Sequence, residues 1–138
     1  MHEAETRRWR VVPESLVVLL GSSHAADRRQ AVELLGRQAD APAVEILSSC
    51  LSDPDVDVIY DAALVLAKIG SPASIEALVA LATDHAGSVV RRVIAASALG
   101  DARPAPAAAV EALRRLASNA DRWLQEEARL SLARLTRG

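Results

Sequence analysis

The chain reads as an all-α protein, an α-solenoid of about four stacked helix pairs, on three observations. Its apolar residues are mostly Ala and Leu, with two Trp, one Tyr and no Phe in 138 residues. Ala and Leu favour helices, whereas strand cores favour β-branched and aromatic residues. Two independent sequence columns also recur four times and keep step with each other. Recurrence at a fixed period of 20–50 residues is the mark of a repeat architecture.

The first column is Ala31-Val-Glu-Leu-Leu35-Gly36, Ala62-Ala-Leu-Val-Leu66-Ala67, Ala95-Ala-Ser-Ala-Leu99-Gly100 and Ala128-Arg-Leu-Ser-Leu132-Ala133, spaced by 31, 33 and 33. Each copy has Leu four residues after Ala, then a small residue. The second column places Leu two residues after Glu, at Glu14, Glu45, Glu76 and Glu111, spaced by 31, 31 and 35. Another apolar residue follows, at Leu19, Cys50, Leu81 and Leu116. The departures fall in two longer loops, Asp84–Gly87 and Ala102–Pro106.

The elements follow in order. A first helix over 13–20 opens at Pro13 and buries Leu16 and Leu19. The next, 24–37, buries Ala31, Leu34 and Leu35 at helical spacing. Pro42 opens 42–52, with Val44, Leu47, Cys50 and Leu51 inward. Pro54 opens 54–69, with Ala62, Val65, Leu66 and Ile69 inward. Pro72 opens 72–83, around Ile75, Leu78 and Leu81. The helix over 87–100 buries Val93, Ala96 and Leu99. Pro104 and Pro106 precede 105–118, built on Val110, Leu113 and Leu116, and 121–136 closes the series. Pro fits a helix start because the first N–H groups have no intrahelical acceptor. Helices carrying the Ala column are called A, and those carrying the Glu column B. Residues 1–12 form an arm or partial A helix, and 13–138 the repeat domain.

A unit such as Ala62-Ala-Leu-Val-Leu-Ala-Lys-Ile-Gly-Ser-Pro72, followed by Ile75-Glu-Ala-Leu78 and Ala82-Thr-Asp84, resembles a HEAT-like repeat of the short phycobilisome-lyase type. The resemblance covers residues 13–136. It implies an adaptor or scaffold that binds another protein through the B-helix surface, which is usually concave in such solenoids. The family also contains pigment–protein (bilin) lyase subunits and a deoxyhypusine-class hydroxylase, which holds iron through His-Glu pairs on several helices. Only His2-Glu3 matches that pair here.

Charge is uneven: net −2 overall, but +1 over 1–39, −7 over 40–84 and +4 over 85–138. The acidic middle favours a cationic partner segment. The single Cys50 forms no internal disulfide, no signal pattern opens the chain, and no apolar run approaches the roughly 18 residues needed to cross a bilayer. The expectation is a cytoplasmic, soluble protein without membrane contact.

Few residue groups suggest chemistry. His24 and His85 lie two repeats apart, about 20 Å for helices about 10 Å wide, too far to share a metal. Asp53-Pro-Asp55-Val-Asp57 begins like a calcium loop but has Val58 and Leu64 where Gly and Glu are needed. It is read instead as capping of the following helix. Arg28-Arg29 and Arg91-Arg92 flank these acids and are placed to pair with them. With no nucleophile–base pair, phosphate loop or CxxC, the expectation is of no catalytic residue, cofactor or metal; the chain reads as a non-enzyme.

The candidate partner-binding residues are Glu45, Glu76, Val79, Glu111, Arg114 and Arg115 on the B face. Two readings of the Glu column stay open: carboxylates stabilising helix N-termini, or an acidic recognition line. A bilin-lyase subunit is the enzyme alternative. Nucleic-acid binding is a weaker one, through Arg7-Arg8-Trp9-Arg10 and the Arg91–Arg92 edge. The C-terminal helix, where Trp123, Leu130 and Leu135 lack a covering helix, offers a surface for self-association.

Overall fold

The computed structural model describes residues 14–137. Eight α-helices and no strand occur among them: α1 Glu14–Leu20, α2 Ala25–Gln38, α3 Ala41–Ser49, α4 Val56–Ile69, α5 Pro72–Ala82, α6 Val89–Leu99, α7 Ala107–Leu116 and α8 Arg122–Arg137. A 3-10 turn, Cys50–Ser52, extends α3. The arm expected over 1–12 lies outside the described residues.

The sequence map holds to within about two residues at each end. Local chemistry explains the boundaries. Asp40 caps α3 by accepting from the Ala43 N–H, and Ser71 caps α5 by accepting from the Ser74 N–H. Pro42 and Pro72 sit in the first turns, where no N–H is missed. Pro54 falls outside α4, which starts after the cap residue Asp55. Both α2 and α4 end on a left-handed residue whose N–H returns to the Leu carbonyl four back. That residue is Gly70 in α4 but Ala39, at φ 55°, in α2.

Two layers result. α2, α4, α6 and α8 stack side by side as the A layer, and α3, α5 and α7 stack as the B layer. α5 and α7 each pack most extensively on the A helix that follows, and α3 does so through the 3-10 turn that extends it. The contact of α6 with α7 is slight, because the long Gly100–Pro106 connection carries the chain away.

The core lies between the layers and consists of small and branched residues. Leu35, Leu47, Leu66, Leu78, Leu99 and Leu113 are wholly buried, with Ala31, Ala62, Ala63, Ala95 and Ala96 between them. Leu34, Val65, Ile69, Leu81 and Val110 sit at its margin, half-buried. Alanine lets helix axes approach and keeps side-chain entropy loss near zero. Each repeat leaves an apolar face that only its neighbour covers.

The small residue ending the Ala column has a structural cause. A Cβ built on Gly36 of α2 would lie 2.7 Å from Val65 Cγ1 of α4. One on Gly100, the residue that ends α6, would lie 2.8 Å from Ser131 Cβ of α8. In both cases the small residue faces the third residue after the column Ala of the next A helix. The intermediate pair in this register is Ala67 and Ala98, both buried.

Candidate functional site

The B face presents the Glu column to solvent. Glu45, Glu76 and Glu111 are all exposed. Each is the fifth residue of its helix, a full turn beyond the N-terminus. The dipole's benefit to a carboxylate falls off within the first turn. On α3 and α5 an N-terminal donor is met instead by Asp40 and Ser71, while α7 begins after Pro106, which offers no side-chain cap. Helix-end stabilisation, one of the two sequence readings, therefore does not account for Glu45, Glu76 or Glu111. Glu14 alone lies in a first turn.

The three differ in their partners. Glu111 accepts a hydrogen bond from Arg115 one turn on, at 3.0 Å, with both side chains largely exposed. Among the described residues, Glu45 and Glu76 have no ion-pair partner. Arg114 is exposed beside Arg115. Val79, expected on the surface, is half-buried against the core, because its place three after Glu76 turns it toward the neighbouring helix. Val17 and Val18 at the α1 end are 51% and 67% exposed. Across the B layer the face thus runs from free carboxylates on α3 and α5 to arginines on α7.

A groove of about 620 Å³ opens beside Glu45, between α3 and the start of α5. Val44 and Pro72 supply its apolar wall, and Asp40, Glu45, Ser48 and Ser71 its polar one. Asp40 is spent on its cap, and Ser48 donates to the Val44 carbonyl. Glu45 is the uncommitted charge.

A larger groove, about 750 Å³, runs between α2 and α4 on the A side, over Val32, Gly36, Leu64 and Val65. Its carboxylates are committed: Asp61 holds Arg29 at 2.7 Å and Glu33 holds Arg37 at 3.0 Å.

At the turn edge the expected pairing of repeats is present. Arg28 donates to both Asp53 carboxylate oxygens, at 2.9 and 3.1 Å, and to the Ser22 carbonyl. Burial pushes the Asp53 carboxyl upward. The Arg28 hydrogen bonds, the Asp55 N–H and the charges of Arg28 and Arg91 together outweigh it and hold the carboxyl below its ordinary value. Asp53 and Asp55 accept from the N–H groups of Asp55 and Asp57, the capping role expected of this segment. Arg91 reaches the Asp53 carbonyl at 3.3 Å.

Arg92 departs from the expected edge. It is buried, and its Nε donates to the Ala82 carbonyl, where a cation suits the C-terminus of α5. Its Nη2 meets no acceptor among the described residues. Helical spacing carried the signal, since Arg92 is three before Ala95 and on its face. The Arg91–Arg92 edge is therefore not a free basic patch. Arg7, Arg8, Trp9 and Arg10 lie outside the described residues.

Cys50 is buried, and its thiol is pushed up to about 11, first by burial and then by the nearby Asp53 charge. Trp123 and Leu130 are each 53% exposed on α8, as expected, but Leu135 is buried. It falls on the α8 face that carries Leu124, Ala128 and Ser131.

His24 and His85 are both exposed. No group of three or more His, Cys, Asp or Glu among the described residues is placed to hold a metal, and His2-Glu3 lies outside them. The described residues do not fit the His-Glu iron set that the family resemblance would bring. No described helix is long and apolar enough to cross a membrane.

The family described as HEAT repeats matches residues 13–99, and the chain belongs to it. No curated protein matches the chain. Among solved structures, human deoxyhypusine hydroxylase in complex with glycerol is similar with a TM-score of 0.75 at 21% identity. The similarity covers 95% of this chain but 44% of the hydroxylase, so the chain spans less than half of that protein. The likeness establishes the fold. It also corrects the non-enzyme expectation: a hydroxylase is built on the same solenoid, so this architecture carries catalysis as well as binding.

Proposed function

We propose that this HEAT-repeat chain is an adaptor or scaffold whose B-helix face holds a basic segment of another protein. The observation that carries the reading is the pair Glu45 and Glu76. Both are exposed, neither is used to cap a helix, and neither is paired among the described residues. Two uncommitted carboxylates on neighbouring helices give a field that steers a cationic partner and pairs with it on contact. The groove beside Glu45 gives one of its side chains a seat with an apolar wall. The Arg114–Arg115 end of the face repels a uniformly basic ligand, which sets the direction in which the segment lies. Titrating labelled basic peptides onto the protein, at low and high salt, tests this. Binding that weakens with salt and is lost in Glu45→Lys/Glu76→Lys supports it.

Neither alternative gains a specific observation. The bilin-lyase reading finds no residue set here to carry it, and the nucleic-acid reading loses Arg92 to the core.

A further inference from the structure

Neighbouring A helices share one register, so the sixth residue after each column Ala stands opposite its counterpart. Those residues are Arg37, Lys68, Asp101 and Arg134. Between α6 and α8 the counterparts have opposite charge, and Arg134 Nε lies 3.5 Å from Asp101. Between α2 and α4 both are cations. Gly36 against Val65 and Gly100 against Ser131 are the same contact in the two helix pairs, so the register is common to both. Arg37 and Lys68 therefore converge where the other pair forms a salt bridge.

Nearby acids do little to relieve them. Arg37 has Glu33 one turn back, a largely exposed pair of the kind that is weak in water. Lys68 is exposed and has no ion pair among the described residues. Asp101, on its far side, is held by Arg134. Asp40 lies in the B-side groove, where it caps α3. Asp53, Asp55 and Asp57 sit at the start of α4, whereas Lys68 is in its last turn.

The two cations stand at one mouth of the 750 Å³ groove between α2 and α4. Val32, Leu64, Val65 and Ile69 make its floor apolar. The helix from Arg37 back to Arg29 spans about 12 Å, and there Asp61 already neutralises the arginine. We propose that this groove binds a small apolar carboxylate, with its head between Arg37 and Lys68 and its tail along the floor toward Arg29. With Glu33 set against Arg37, one positive charge is left at the mouth, and a single carboxylate balances it. The volume lies within the roughly 300–1,000 Å³ of small-molecule sites, which combine apolar walls with a few polar groups. The site belongs to the A layer and is independent of the B-face reading.

Decanoate titrated calorimetrically into the 138-residue chain should bind at one site. Its affinity should fall about fourfold for each methylene removed, through octanoate to hexanoate. Decylamine, with the same tail and the opposite charge, should bind at least about tenfold more weakly. Lys68→Asp copies the α6–α8 arrangement and should weaken decanoate at least about tenfold, whereas Lys68→Arg should retain it. If Lys68→Asp loses helicity, Arg37→Gln takes its place and should weaken binding several-fold. Amide resonances of Gly36 and Ile69 should shift on titration, and those of α7 should not. No binding up to the solubility limit of decanoate, equal binding of decylamine, unchanged affinity in the folded variant, or shifts centred on α7 would each overturn the proposal.

Discussion

Gly100, just after α6, and Ser131 of α8 stand so close that a methyl on the glycine would lie 2.8 Å from Ser131 Cβ and 2.9 Å from its Cα. Gly36 repeats the relationship with Val65, but there all the close atoms belong to the Val65 side chain, whereas at Gly100 the Ser131 backbone lies behind the flexible Arg134 guanidinium, itself 2.7 Å away. Backbone cannot rotate aside, whereas Val65 is half-buried and has room to move. Gly100→Ala should therefore destabilise by about 1–3 kcal/mol, the usual cost of overpacking. Gly36→Ala should cost less, because the gain of up to about 1 kcal/mol in helix propensity offsets part of its clash. Urea unfolding of both variants checks the order, and equal effects would show that the A helices are not locked at this register.

Ala39 and Gly70 occupy the same C-terminal position of α2 and α4, both left-handed, at φ 55° and 65°. An L residue there is strained by roughly 1–2 kcal/mol, and glycine is not. Ala39→Gly should stabilise the protein by up to about 1 kcal/mol after glycine's larger unfolded-state entropy is counted. A loss of stability on thermal unfolding would contradict the assigned cap.

The Asp53 carboxyl titrates below its ordinary value in the folded chain. Its contribution to stability is thus fully present above the unfolded aspartate value of about 3.9 and is lost as pH falls through the lower folded value. Asp53→Asn should lower the melting temperature at pH 7 and remove part of the fall between neutral and acid pH. An unchanged acid limb would mean that the Arg28–Asp53 clip does not form in solution.

Cys50 behaves in the opposite sense. Its thiol is raised to about 11, so the folded state disfavours the thiolate and loses stability as pH climbs from about 8.5 toward that value. Native protein at pH 8 should react with a thiol reagent far more slowly than denatured protein. Equal rates would place Cys50 on the surface.

The repeat and its eight helices are legible because two columns of chemically constrained residues keep step for four copies. The face carrying Glu45, Glu76 and Glu111 is legible for the same reason. Their meaning is not, because it depends on where each helix begins. The caps at Asp40 and Ser71 put the glutamates a turn inside, and Asp and Ser are common enough in loops to give little warning. For Arg92 and Leu135, helical phase outweighs residue type and chain position in setting burial. Both lie at helical spacing from buried neighbours. Val79 departs the other way, half-buried on a helix whose exposed strip is narrow. The small residues after each column Leu were visible as a pattern. Their purpose emerges only from the distance between neighbouring A helices.

Exchanging charge on one face and not the other tests the B-face account most directly. Glu45→Lys/Glu76→Lys and the control Glu33→Lys/Asp57→Lys change net charge equally, but the control acids lie on α2 and α4 of the A layer. Anisotropy titrations of a basic peptide that binds the wild-type chain should show affinity falling at least tenfold, about 1.4 kcal/mol, for the B-face variant. The control should fall far less, and the difference should shrink at high salt. Equal losses from both variants, with helicity intact, would show that only net charge matters and would contradict a B-face site.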